Sequence, residues 1–264
     1  MAEEDKLTQT MNELMESPGG QIILEIKQFF ISRIKYLIGI FLFGIVIGFP
    51  ITKAVITWLI DPSRLPSDVN IIVISPVEFI LLQFQIATSI GAFLVTIYLI
   101  IEASWNGLKS PAVQQRIAEL NLKPPSVGPT VILTIFSVFG LAVCGLFYSW
   151  EFLIPMILEY LTEDAQSAGI STEWRLSGYV GFIVSLALAS AIGFQSPVVT
   201  LLVLRMGVVE RYQIRNYRRH IWFTSFLIGA LLSPPDPLSL FLVALPVVIF
   251  FELALIADSF TRRV

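Results

Sequence analysis

Charge is scarce in this chain. Only 14% of its 264 residues are Asp, Glu, Lys or Arg, against roughly 25% in soluble globular domains. With 55% hydrophobic residues and a mean hydropathy of +0.79, a water-soluble globule is excluded and a protein integrated into a lipid bilayer is expected. A single cysteine, Cys144, excludes an internal disulfide or a cysteine-based metal cluster, and inside its apolar run it reads as a small packing residue. There is also a single histidine, His220, and no HExxH, GxSxG or phosphate-loop pattern. No enzyme activity, cofactor, metal or nucleic-acid partner is therefore expected. The N-terminus, MAEEDKLTQTMNELMESPGG, is acidic and polar and lacks the form of a cleavable signal peptide. Residues 1–20 are expected to be a flexible tail before one membrane domain, 21–264.

What the chain has instead is long apolar runs. From Gln21 to Arg33, Ile22, Ile23, Ile26, Phe29 and Phe30 recur at helical spacing, the pattern of a helix lying in the membrane interface. Runs able to cross a hydrocarbon core of ~30 Å follow at about 34–56, 77–101, 127–150, 178–204 and 238–257. A further run, about 220–233, is too short for an ordinary span: Ile221 to Leu232 gives about 18 Å of helix at ~1.5 Å per residue. The expected fold is all-α with six membrane helices, without internal repeat. Gly44 and Gly48 form a GxxxG in the first span, a candidate helix-packing face. The loop 151–178 is acidic, yet its stretch FLIPMILEYL is apolar enough to cap the bundle.

The distribution of cations orients the chain. Lys6, Lys27, Arg33, Lys35, Lys109, Arg116, Lys123, Arg205, Arg211, Arg215, Arg218, Arg219, Arg262 and Arg263 fall on one side of this topology, and only Lys53, Arg64 and Arg175 on the other. Cytoplasmic loops carry the excess of Lys and Arg, so both termini are expected in the cytoplasm.

Polar groups at membrane depth are costly and are functional candidates by default. Glu252 lies in the last span, to be protonated there or paired across the bundle. Gln195 precedes Pro197 and is placed for an interhelical hydrogen bond. Glu102 marks the inner end of the second span, as an interfacial charge or a binding group. His220 adjoins Arg218 and Arg219 at the mouth of the short run and reads as an interfacial polar residue. Asp236, next to Pro234 and Pro235, is placed to cap the N-terminus of the last helix.

An ordered series of motifs now becomes specific: Gly193-Phe194-Gln195-Ser196-Pro197-Val198, Met206-Gly207, Arg218-Arg219, LLSPPD, Pro246 within ALPVVIFFE, and Glu252. Over Gly178 to Phe260 this resembles the TatC family, the multispanning receptor subunit of the twin-arginine, Sec-independent protein translocase. Looser likeness extends upstream through Ser75-Pro76, Trp105, Pro111, Gly145, Tyr148, Trp150 and Pro155. The resemblance implies a glove-shaped fold of six helices with the last two short, in the cell membrane. It implies recognition of twin-arginine signal peptides at the cytoplasmic face and transport of folded proteins driven by the proton-motive force. It further implies partnership with single-span subunits of the TatA/TatB type, within the bilayer, in a homo-oligomeric receptor complex.

The chain departs from the family pattern where the arginines would be gripped. Gln195 stands where the family often has Glu. Pro111-Ala112-Val113-Gln114-Gln115-Arg116-Ile117 carries no acid where the family has one, and the N-terminal signature is reduced to Arg33-Ile34-Lys35. Two guanidinium groups need fixed acceptors, ideally carboxylates gripped bidentately. Glu102 or Glu119, with Gln195, is expected to take that role, and Arg33 is a further candidate for binding the signal peptide. Two alternatives stay open: an ion-coupled secondary transporter using Glu252, Gln195 and Glu102 as a relay, and a scaffold homologue without receptor activity.

Overall fold

A computed structural model describes residues 18–61, 65, 69–107, 109, 114–115, 118, 127–169, 173–206, 209, 211–232 and 236–261, with the backbone alone for 18–30, 127, 232 and 261. Glu119, Pro234 and Pro235 lie outside the described residues, as does most of the expected tail.

Helix α1 runs from Pro18 to Leu59, 42 residues without interruption. It therefore starts within the expected tail, where Pro suits the first turn because its missing N–H would have no partner there. The interfacial segment and the first span form one continuous rod, since neither Pro nor Gly separates them. Pro50 lies within the helix without ending it. After a short strand, β1 (Asn70–Ile72), helix α2 covers Glu78–Glu102 and widens into a π-turn over Ala103–Gly107. Helix α3 (Val127–Tyr148) passes through a second π-turn, Ser149–Leu153, into α4 (Ile154–Ser167). Strand β2 (Glu173–Arg175) pairs in parallel with β1, Ile71 opposite Trp174. Helices α5 (Leu176–Gly193) and α6 (Ser196–Arg205) are separated by a turn at Phe194 and Gln195, where Pro197 interrupts the hydrogen-bond ladder. Then come α7 (Arg211–Asn216), α8 (Arg218–Leu232) and α9 (Pro237–Thr261).

Among the described residues, five helical stretches are long and apolar enough to cross a membrane: 31–59, 78–107, 128–167, 176–205 and 237–260. Helix α8, with 15 residues, spans about 22 Å at ~1.5 Å per residue and falls short. Of the last two helices, both expected to be short, only α8 is. Helix α9 has 25 residues, as many as α2, because Pro246 does not break it and it continues through Asp258 to Thr261.

The helix survives Pro246 because its missing hydrogen bond is replaced. Proline has no N–H, so the carbonyl four residues earlier, that of Leu242, loses its helical donor. The Tyr148 hydroxyl donates to that carbonyl at 2.9 Å. Within lipid no water could do so.

The main core lies at the end of the bundle that holds the strand pair. Ile56 and Leu59 of α1, Leu82 and Ile86 of α2, Ile154, Ile157 and Leu158 of α4, and Tyr179, Val180 and Ile183 of α5 are buried together. The apolar stretch of the acidic loop is thus a helix packed against the bundle. Outside this core, large apolar side chains such as Val46, Phe136, Phe147 and Leu231 point outward and exposed. In water such a surface would aggregate; in a bilayer it is solvated by hydrocarbon.

Candidate functional site

The position of the candidate site follows from how α1 and α2 approach one another. A Cβ on Gly44 would lie 2.6 Å from the Gly91 Cα, and one on Gly91 would lie 2.8 Å from the Phe41 carbonyl oxygen. Only glycine permits this backbone contact. One turn further along α1, Gly48 packs against Ala87, so the GxxxG is the crossing face and the two helices run antiparallel. Arg33 is about eleven residues from Gly44, and Glu102 is about eleven from Gly91 in the opposite sense, roughly 16 Å of helix in each case at ~1.5 Å per residue. The glycine contact therefore sets Arg33 and Glu102 at one level.

They meet there. Arg33 Nε lies 2.8 Å from Glu102 Oε1, with the arginine side chain 32% exposed and the glutamate 13%. The Arg33 Nε–H is buried but makes no hydrogen bond, so the contact is an ion pair by proximity and not an aligned fork. Asn106, in the π-turn, donates its Nδ2 to the same Oε1 at 2.6 Å. Lys109, just beyond, sits 4.2 Å from the ring centre of the exposed Trp105.

A second guanidinium–carboxylate pair joins α8 to α9, and its geometry differs. Arg218 Nε donates to Glu252 Oε1 at 2.9 Å, its Nη2 donates to Oε2, and Trp222 Nε1 donates to Oε1 at 2.9 Å. Glu252 is therefore gripped bidentately, and of its two expected fates the structure takes pairing. Arg219 and His220 are exposed at the start of the same helix, the histidine ring 5.6 Å from that of Tyr217. At the far end of α8 and α9, Asp236 Oδ1 accepts the Ser239 N–H at 2.7 Å, capping α9, and Ser239 Oγ donates to Oδ2.

Gln195 is buried, 2% exposed. Its backbone N–H bonds to Ile192 and not to the carbonyl one turn back, which leaves Ala191 without that helical donor. The Gln195 side chain fills the gap: Nε2 donates at 3.2 Å to Ala191 and at 3.2 Å to Val138 of α3. The carboxamide thus ties the α5–α6 break to α3, the interhelical bond expected, while Oε1 has no partner. Gln195 borders a cavity of about 360 Å³ between α2, α5, α6, α8 and α9, whose lining includes Thr96, Ser225, Val243 and Phe251. Among the described residues no hydrogen bond or ion pair joins Glu102 to Gln195; each has its own partners.

The sequence reading missed Glu78. This residue opens α2, is 2% exposed, and accepts from Arg175 Nε at 2.9 Å, Ser177 N–H at 2.8 Å and Ile74 N–H at 3.0 Å. It clamps the strand pair and the start of α5 to α2. The available signal was an acid in the first helical turn, where the N-terminal dipole favours negative charge. Among the described residues no group of three or more His, Cys, Asp or Glu could hold a metal ion.

Residues 28–246 match the family model of the Sec-independent protein translocase protein (TatC). The chain belongs to the TatC family. TatC of Listeria innocua is 24% identical over 234 residues, 88% of this chain and 89% of that protein. TatCd of Bacillus subtilis is 25% identical over 88% of each chain, and TatC of Aquifex aeolicus is 24% identical over 88% of this chain and 92% of its own length. Two crystal structures of a twin-arginine translocase receptor, TatC, share the fold. One superposes with a TM-score of 0.69 at 22% identity over 86% of this chain and 96% of the other. The second gives 0.66 at 23% identity. The family is one of membrane-embedded translocase components, and the five apolar helical stretches of this TatC chain make it a multi-pass membrane protein.

Proposed function

We propose that this chain is the receptor subunit of a twin-arginine translocase: it binds twin-arginine signal peptides and helps move folded proteins across the membrane on the proton-motive force. The observation that carries this reading is the Arg33–Glu102 pair. At the end of the bundle to which the sequence topology assigns most of the cations, α2 presents a carboxylate, held by Asn106, that already accommodates one guanidinium. A signal-peptide arginine offers the same group, and carboxylates grip guanidinium better than they grip ammonium. Glu119 and Gln195 complete the candidate set, Gln195 by holding the α5–α6 break. Arg218 and Glu252 tie the short helix α8 to α9 and Asp236 caps α9, with Pro234, Pro235 and Arg219 kept as candidate positions beside them.

Counting α8 gives six membrane helices within the domain 21–264, and the cation bias supports both termini in the cytoplasm, with the chain in the cell membrane. TatA/TatB-type single-span subunits and further copies of this chain are the proposed partners. The solute-transporter reading is disfavoured because two members of its relay are fixed, Glu252 in the bidentate grip of Arg218 and Gln195 on the Ala191 and Val138 carbonyls.

Complementation tests the proposal. In a host lacking its own TatC, supplied with matched partner subunits, this chain should restore export of a folded reporter carrying an Arg-Arg signal and not one carrying Lys-Lys. Crosslinking of a twin-arginine peptide should fall in the variant combining Glu102→Gln with Glu119→Gln; unchanged crosslinking would remove these residues from the site.

A further inference from the structure

Among the described residues, two carboxylates that meet an arginine across helices differ in how far they are engaged. Glu252 shows the saturated state: both oxygens are engaged by Arg218, and an indole N–H is added. Glu102 does not. Arg33 Nε and Asn106 Nδ2 both lie against Oε1, the arginine N–H is not aligned to donate, and the Tyr98 hydroxyl one turn back on α2 also hydrogen-bonds the carboxylate, so no guanidinium grips it bidentately. The glycine crossing of α1 and α2 sets Arg33 at the level of Glu102, and the guanidinium meets the carboxylate there through Nε.

We propose that Arg33 is a resident guanidinium that occupies the acceptor of the signal-peptide arginine and must be displaced for that arginine to bind. The inference rests on the receptor reading given above and assigns Arg33 a role opposite to that of a contact for the peptide. An incoming arginine, free to orient, can form the two-bonded pair that Arg33 does not, so exchange is favourable. An ammonium brings one point charge without the fork and gains less over the resident ion. Arg33 thereby raises the threshold for all peptides and leaves only the strongest cations able to cross it. Binding to a site that is open for only a fraction of the time is weakened by that fraction, whichever ligand arrives. Removing Arg33 should therefore strengthen Arg-Arg and Lys-Lys peptides by one common factor. For a partly exposed ion pair that factor is about two- to fivefold.

The experiment is peptide binding to the purified full-length protein in detergent, read by fluorescence anisotropy with labelled Arg-Arg and Lys-Lys signal peptides. Arg33→Ala should lower Kd about two- to fivefold for both peptides. Arg33→Lys, which keeps a cation, should show a smaller gain and supplies the reading if the alanine variant fails to fold. Lys35→Gln, which removes an exposed charge two residues away, should change both by less than about twofold. Weaker binding in Arg33→Ala, unchanged binding, a gain confined to one peptide, or an equal gain in Lys35→Gln would each overturn the proposal. Glu102→Gln separates the two levels. If it binds peptide as well as the parent, the receptor reading of this carboxylate fails. If it loses binding while Arg33→Ala gains nothing, only the resident-ion inference fails.

Discussion

The hydroxyl of Tyr148 donates at 2.9 Å to the carbonyl of Leu242, 94 residues away in the chain, and that carbonyl is the one that Pro246 leaves without a helical donor. A side chain on α3 thus completes the backbone of α9. The relationship makes a double-variant prediction. Tyr148→Phe should cost about 1 kcal/mol, the scale of one interhelical hydrogen bond in a membrane, seen as a lower Tm. In a Pro246→Ala background, where residue 246 again supplies an N–H, the same change should cost clearly less. Equal costs in both backgrounds would show that the two features are independent.

The contact between Gly44 and Gly91 predicts a steric penalty at a distance from the site. Gly91→Ala, whose Cβ would meet backbone oxygen at 2.8 Å, should destabilise the protein by about 1–3 kcal/mol through overpacking. It should also disturb the level of Arg33 relative to Glu102. The separation between spin labels attached at Arg33→Cys and Glu102→Cys in a Cys144→Ala background reports this directly, and should shift when Gly91 becomes alanine.

Gln195 predicts that restoring the acid common in the family will not be neutral. The two carbonyls that accept from Nε2 would face a second oxygen in Gln195→Glu, with no described donor to compensate. Thermal unfolding should show a loss of about 1–3 kcal/mol. Gln195→Glu with stability equal to the parent would mean that the α5–α6 break does not depend on this carboxamide.

Glu78 predicts a stability role without a receptor role. Glu78→Gln keeps the shape but weakens three bonds to one carboxylate. The expected cost is about 1–3 kcal/mol, kept below the value for a buried pair because Arg175 is itself half exposed. Limited proteolysis should accelerate around the β1–β2 pair, while binding of a twin-arginine peptide at the opposite end stays unchanged.

Local features of the chain were legible from order and composition alone. The scarcity of charge and the long apolar runs specify a membrane protein, the run from Ile221 to Leu232 specifies a short helix, and Asp236 ahead of Ser239 specifies a cap. The motifs from Gly193 to Glu252 specify the family, because their order is preserved. All of these depend on neighbours within a turn or two, or on linear spacing, which is what a sequence displays.

Pairing across the bundle was decided by the tertiary structure. Glu78 binds Arg175, Glu102 binds Arg33 and Glu252 binds Arg218, and in each case the partner lies on another helix or strand. Which charges meet depends on where two rods cross, and a glycine contact at Gly44 and Gly91 sets that crossing to within one residue. The same composition with the crossing moved by a turn would leave Glu102 facing a different side chain. The sequence by itself determined that carboxylates and arginines would share the membrane boundary; only the packing of α1 on α2 decided that Arg33 would occupy Glu102 without gripping it fully.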